Sequence, residues 1–386
     1  MTATKEFSGR IASVDVFRGL TILLMIFVND VAGVRDIPTW LKHAAPGSPD
    51  MTFVDVVFPA FLFIVGLSIP FALAQRGKKY PGTSALPHIL TRSAGLIVLG
   101  LLMLNGPVVS SMNPALWNVL MYTGAILFWN SYPSGENHKL FHDVLKWSGL
   151  ALLVFLLLIY RRESGESTSW IQTGWWGILG EIGFAYAATA LLYLLFKDRP
   201  ALLLTIPAGC IFLYIADRSG QLDFLGRIGT VFYPGSHFGT HVLISFSGLL
   251  SGHWLMGRDP EDHRTYLKKL GAFALLCGLA GYALYGLYGI DKIAATPSWA
   301  LFSTAICILI FMLSYGIMDV KGKRSAYAFF RPVAVNPLLA YLLHVMLIYV
   351  FRLTGFASFY GAQLGNGITG ILRALAYTGL IYLITL

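Results

Sequence analysis

The chain alternates long apolar runs with short polar breaks, and the runs have the length of membrane-crossing helices. Each extends over about 17–25 residues, enough to cross roughly 30 Å of hydrocarbon at about 1.5 Å per helical residue. The pattern predicts helices at Asp15–Val34, Phe53–Gln75, His88–Asn105, Ala115–Ser131, Asp143–Tyr160 and Gly177–Phe196. Six more follow at Ala201–Asp217, His237–Met256, Lys269–Tyr288, Trp299–Asp319, Pro332–Phe351 and Asn366–Leu386. The expected fold is an all-α polytopic integral membrane protein of about twelve transmembrane helices. Every break is short, so residues 1–386 read as one membrane domain. Between Ala115 and Tyr160 one helix is open to a re-entrant reading.

Composition supports that pattern. Of 386 residues, 56% are hydrophobic and 12% charged, against about 25% charged in a soluble domain. The formal net charge of +9 does not mark a nucleic-acid face, because the basic residues sit in the short breaks. With both termini cytoplasmic, nineteen Lys and Arg fall on the inner side and eight on the outer, and Arg373 lies within a helix. That asymmetry is the positive-inside signature, with Arg161 and Arg162 as a local exception. Cys210, Cys277 and Cys307 fall in apolar runs without ligand spacing, so neither a disulfide framework nor a zinc motif is expected. The first apolar run lacks a small-residue cleavage site and reads as a retained helix. Walker A, GxSxG, HExxH and dinucleotide-binding patterns are absent.

In hydrocarbon an ionisable side chain costs several kcal/mol unless it has a partner or a cavity, so the polar exceptions carry the functional information. Asp15 and Arg18 lie three apart at the cytoplasmic end of the first helix. They read equally as a local ion pair and as the mouth of a cofactor channel. At the outer end of that helix stands Asn29, followed in the loop by Lys42 and His43, and Asp55 opens the second helix. An imidazole with a carboxylate to orient it is a general-base arrangement, although a loop histidine is more often without special role. His237 and His241, four apart, share a helix face. No third ligand follows at a helical interval, so a polar cavity wall is expected there and no metal centre. Lys292 lies in an outer loop. Asn336 and His344 are two turns apart on one predicted helix, from the cytoplasmic mouth towards mid-membrane, where they line a cofactor channel or bond between helices. Glu181 and Arg373 are intramembrane charges with no partner evident in the sequence.

The blocks RIASVDVFRGLTILLMIFVNDVAG and WLKHAAPGSPDMTFVDVVFPAFLFIVGLSIP, with GILGEIGFAY, YPGSHFGTHVLISFSGLLSG, IDKIAATPSWALF and MDVKGKRSAYAFFRPVAVNPLLAYLLH, resemble the heparan-alpha-glucosaminide N-acetyltransferase family and its bacterial relatives. The resemblance covers most of the chain in order. It implies a membrane acyltransferase of a bacterial cytoplasmic membrane that takes an acetyl group from cytoplasmic acetyl-CoA and gives it to an amino sugar on the far side. It implies His43 as the catalytic residue with Asn29 beside it and Asp55 in the same block. Asp15, Arg18, Asn336 and His344 then become cofactor residues, and Lys292, His237 and His241 substrate residues. The partners implied are acetyl-CoA, the acceptor and the bilayer, with a homodimer among the assemblies allowed. The chain departs from the family in YPGS where an acidic DPEG-like segment stands, and in Glu181 where a base stands. Two extra spans appear inserted near Ala115–Tyr160 into a ten-helix core, and the family's large extracytoplasmic domain is not seen. The rival reading is a secondary transporter for an amino sugar or similar solute, its path lined by the same polar residues.

Overall fold

The computed structural model describes residues 11–45, 47–105, 112–130, 132, 139–164, 167–259, 261–323 and 325–386. Lys5, Arg10 and Arg324 of the charge count, and Ser131 at the end of the fourth predicted helix, lie outside the described residues. The protein is an all-α polytopic membrane protein. Its helices are α1 (Ala12–Val31), α2 (Val54–Lys79), α3 (Leu86–Leu104), α4 (Pro114–Trp129), α5 (Lys139–Ile159), α6 (Gly177–Phe196), α7 (Pro200–Arg218), α8 (Arg227–Phe232), α9 (Val242–Met256), α10 (His263–Tyr288), α11 (Pro297–Tyr315), α12 (Ser325–Val335), α13 (Pro337–Leu353), α14 (Phe356–Ala362) and α15 (Gly367–Ile384). A two-strand antiparallel hairpin, β1 (Arg162–Ser164) and β2 (Ser167–Ser169), interrupts the loop before α6.

A helix coincides with each predicted segment, but fewer than twelve satisfy the length needed to cross. Among the described residues nine helices are long and apolar enough, or ten when α12 and α13 are taken together. With 16 residues, α4 reaches only about 24 Å. With 15 residues, α9 is shorter still, but the π-helix Gly235–His241 precedes it directly. The predicted helix Pro332–Phe351 is not continuous. Pro337 disfavours helical geometry at the residue before it, and Asn336 adopts φ −122° and ψ 56° as the N-cap of α13. Asn336 and His344 therefore do not share an unbroken helix.

The chain folds as two compact units. The first comprises residues 1–25, 38–97 and 178–335, the second residues 26–37, 98–177 and 336–386. In the first unit α2 packs lengthwise on α9 and also on α11. Lipid supplies no hydrophobic force between helices, so close backbone approach and dispersion must hold them. Glycine provides that approach. A Cβ on Gly66 would run into the carbonyl oxygen of Ser245, and Cβ atoms on Gly248 and Gly252 would meet those of Phe63 and Leu67. Phe17 closes the same core edge-on to Phe63 and Phe311, at 6.0 and 6.1 Å.

In the second unit α4 packs on α5 and α13. Its polar centre is the pair Asp30 and Arg373, which are 3.0 Å apart with side chains 3% and 8% exposed. Arg373 also donates to the carbonyl oxygens of Asp30 and Tyr360, and the Tyr360 hydroxyl donates to Asp30 at 2.7 Å. The intramembrane arginine thus has a partner after all. That partner comes from α1, more than 340 residues away, which no local spacing discloses.

Two stability outcomes follow. Gly248→Leu should lower the unfolding temperature in detergent, costing more than about 2 kcal/mol, whereas Gly278→Ala, which meets nothing within 4 Å, should leave it unchanged or raised. Arg373→Met should cost about 3–5 kcal/mol by stranding a buried carboxylate. Adding Asp30→Asn should recover part of that loss, as a double-mutant cycle would record.

Candidate active site

Asp55 organises the loop that carries His43. The stretch Thr52–Asp55 is a helix-start signature in which an acidic side chain reaches back to a backbone N–H three residues earlier. Asp55 Oδ2 accepts from Thr52 N at 3.0 Å and from Ala44 N at 3.1 Å. The Thr52 hydroxyl lies 2.7 Å from the Lys42 carbonyl and 3.2 Å from Asp55 Oδ2. The carboxylate thereby closes the chain from residue 42 to residue 55 into one loop. Its other oxygen, Oδ1, lies 2.7 Å from His43 Nδ1. Backbone N–H groups only donate, so they fit Asp55 as an acceptor, and Nδ1 then carries the hydrogen. The basic lone pair is left on Nε2. The Asp55 side chain is 3% exposed and that of His43 is 43% exposed, so the carboxylate is shielded while the imidazole reaches its surroundings.

The Asp291 loop brings a cation to the same ring. Asp291 Oδ1 accepts from Ile293 N and Ala294 N, at 2.7 and 2.9 Å, and Oδ2 accepts from Gly47 N of the histidine loop at 3.3 Å. Gly289, at φ +64°, lets the chain leave α10 in a left-handed conformation that L side chains resist. Lys292 Nζ then lies 3.2 Å from His43 Nδ1 and 3.4 Å from Nε2. The ammonium therefore stands beside the imidazole ring. Burial pushes the Lys292 ammonium below the usual lysine range, and the carboxylates of Asp55 and Glu181 oppose that shift. The Trp299 indole N–H donates to the Asp55 carbonyl at 3.2 Å. Beside these loops lies a cleft of about 320 Å³ whose lining includes Gly47, Tyr214, Arg218, Tyr288 and Asp291 but not His43.

The structure therefore gathers three of the sequence-predicted residues, His43, Asp55 and Lys292, in the first unit. Asn29 lies in the second unit, with its amide nitrogen 3.4 Å from His344 Nε2. His344 is buried, its Nδ1 2.6 Å from the Tyr341 carbonyl, and the Tyr377 hydroxyl donates to its carbonyl oxygen. Asn336 is exposed. Asp15 and Arg18 form the i,i+3 ion pair at 3.1 Å. The guanidinium also reaches Ser68 Oγ at 2.7 Å and the Ala334 carbonyl at 3.4 Å, so a phosphate there would compete with these partners.

His237 and His241 are fully buried in the π-helix and converge on Glu181 of α6. Glu181 Oε1 lies 3.7 Å from His237 Nε2 and Oε2 lies 3.9 Å from His241 Nδ1. Sequence spacing along the histidine helix could not disclose this third group, because it arrives from another helix. The same holds for Trp299 and Asp291, whose roles are made by backbone bonds. The Thr52–Asp55 capping pattern is the one sequence signal that identifies the loop's fastening.

A family model described as "Domain of unknown function (DUF5009)" matches residues 10–220, which include His43, Asp55 and Glu181. The chain is 24% identical over 380 residues to heparan-alpha-glucosaminide N-acetyltransferase of Mus musculus, an alignment covering 89% of this chain and 54% of that protein. It is 35% identical over 121 residues to the protein of the same name from Homo sapiens, covering 30% of this chain and 17% of the relative. The chain spans about half the length of the mouse relative. With more than half of its residues inside the matching model, the chain belongs to the DUF5009 family.

Proposed function

We propose that this protein is a membrane acyltransferase that moves an acetyl group from acetyl-CoA on the cytoplasmic side to an amino sugar on the extracytoplasmic side of a bacterial inner membrane. The observation that carries the reading is the His43–Asp55 pair beside Lys292, supported by the similarity to two N-acetyltransferases. Asp55 holds Nδ1–H, so Nε2 is the atom that receives a proton. As the acceptor nitrogen attacks the thioester carbonyl, an N–C bond forms and His43 takes the amine proton. The C–S bond then breaks, and the coenzyme leaves as a thiol carrying that proton. Lys292, fixed beside the imidazole, stabilises the oxygen that turns negative in between. A two-step variant in which His43 itself carries the acetyl group uses the same atoms. Labelled acetyl-CoA given without acceptor separates the two by the presence or absence of acetylated protein. The cleft with Tyr214, Tyr288, Arg218 and Asp291 has the size and the mixture of aromatic and polar groups that suits a single sugar.

The break at Asn336 favours a second reading, because discontinuous helices build binding sites in secondary transporters. Uptake of amino sugar into proteoliposomes without acetyl-CoA would establish that reading in place of the transferase.

His43→Ala should abolish acetyl transfer from acetyl-CoA to amino sugars by detergent-purified protein. Asp55→Asn should lower it by about 10²–10⁴-fold, as loss of a positioned base and its orienting partner does. Equal turnover by wild type and His43→Ala would refute the assignment. The pH profile should show an alkaline limb from Lys292: its lowered pKa means that the charge is lost, and rate falls, at a lower pH than for an exposed lysine. Lys292→Arg should move that limb to higher pH, and Lys292→Met should remove it while costing about 10²–10³-fold in rate.

A further inference from the structure

We propose that Glu181, His237 and His241 form a binding site for a first-row divalent cation, with Zn²⁺ the best fit. The three groups offer one ligand atom each, and these atoms all lie within 4.8 Å of one another. Both histidines are buried, at 2% and 3% exposed. The approaches of 3.7 and 3.9 Å to the two oxygens of Glu181 exceed hydrogen-bond reach, which ends near 3.2 Å for N–H···O. His241 Nδ1 faces the carboxylate and has no hydrogen-bond partner, and His237 Nδ1 has none either. Buried imidazoles and a carboxylate that converge without bonding leave costly unsatisfied groups. A cation among them would take His237 Nε2, His241 Nδ1 and a Glu181 oxygen as ligands, and so satisfy His241 Nδ1.

The dimensions suit a small cation. Tetrahedral coordination with bonds of about 2.0–2.2 Å puts ligand atoms about 3.4 Å apart, so the two measured approaches need only slight contraction. Two imidazoles and one carboxylate suit Zn²⁺ and its first-row neighbours better than Ca²⁺ or Mg²⁺, which prefer all-oxygen shells. Three protein ligands leave a fourth position for water or a ligand oxygen. The frame holding the ligands is firm. Phe58 and Trp299 meet the His241 ring edge-on at 5.4 and 6.3 Å, and Phe184 stacks on His237 at 5.3 Å. Trp299 also bonds the carbonyl of Asp55, so the cation would share a supporting ring with the His43 loop. Metal binding itself does not depend on the acetyl-transfer reading.

The test uses full-length, tag-free protein in detergent, stripped with chelator, dialysed against Zn²⁺ and analysed for bound metal. Wild type and His43→Ala should each retain about one Zn²⁺ per chain, whereas Glu181→Gln and His241→Asn should bind on the order of 100-fold more weakly. Co²⁺ added to wild type should produce the visible absorption of a four-coordinate nitrogen and oxygen site, displaced by Zn²⁺. That spectrum decides the matter if a variant fails to fold. Wild type without stoichiometric Zn²⁺ and without the Co²⁺ bands, or equal binding by wild type and a folded Glu181→Gln, would overturn the site and leave a water-filled polar cavity.

Discussion

The hydrogen bond between Asp55 and His43 depends on a carboxylate that is committed on every side. One oxygen holds the two ends of the loop from residue 42 to residue 55 through Ala44 and Thr52, the other holds the imidazole, and the backbone carbonyl of the same residue receives the Trp299 indole. The catalytic proposal follows from that commitment. A loop histidine is ordinarily free to rotate, but this one has a fixed tautomer and a fixed face. Burial of the carboxylate makes the arrangement stiff, because no water competes for its acceptors.

The same economy of polar groups runs through both units. A charge inside a bilayer protein stands only with a partner, and Asp30 with Arg373 and Asp15 with Arg18 each supply one. Two serine hydroxyls in α9 bond carbonyls one turn back, Ser247 to Leu243 and Ser251 to Ser247, while Ser245 Oγ stays buried without a partner. Close backbone contact through glycine and polar side chains bonded within their own helices thus occur on the same helix.

Much of the fold was legible in the sequence because its signal is local. An apolar run of sufficient length declares a helix whatever it packs against, and all the predicted segments are helical. The helix count was less legible: a run's length does not reveal that α4 stops at Trp129 or that Pro337 breaks the helix at Asn336. For the site, His43 and Asp55 could be paired because they are twelve residues apart, one in the loop and the other opening the helix that follows it. The partners of Arg373 and Glu181 could not be, since Asp30 and the two histidines reach them only through tertiary packing. Asn29 stood beside His43 in the sequence reading, and the fold gives it His344 as its hydrogen-bond partner.

The central claim is that the His43 imidazole, oriented by Asp55, is where acyl transfer occurs. A cryo-electron microscopy structure of the protein with acetyl-CoA bound measures this directly. The account predicts the thioester beside the His43 ring, with the acceptor nitrogen's place between its carbonyl carbon and Nε2, Asp55 still on Nδ1 and Lys292 beside the carbonyl oxygen. A thioester seated against other residues, with the His43 ring out of its reach, would contradict it.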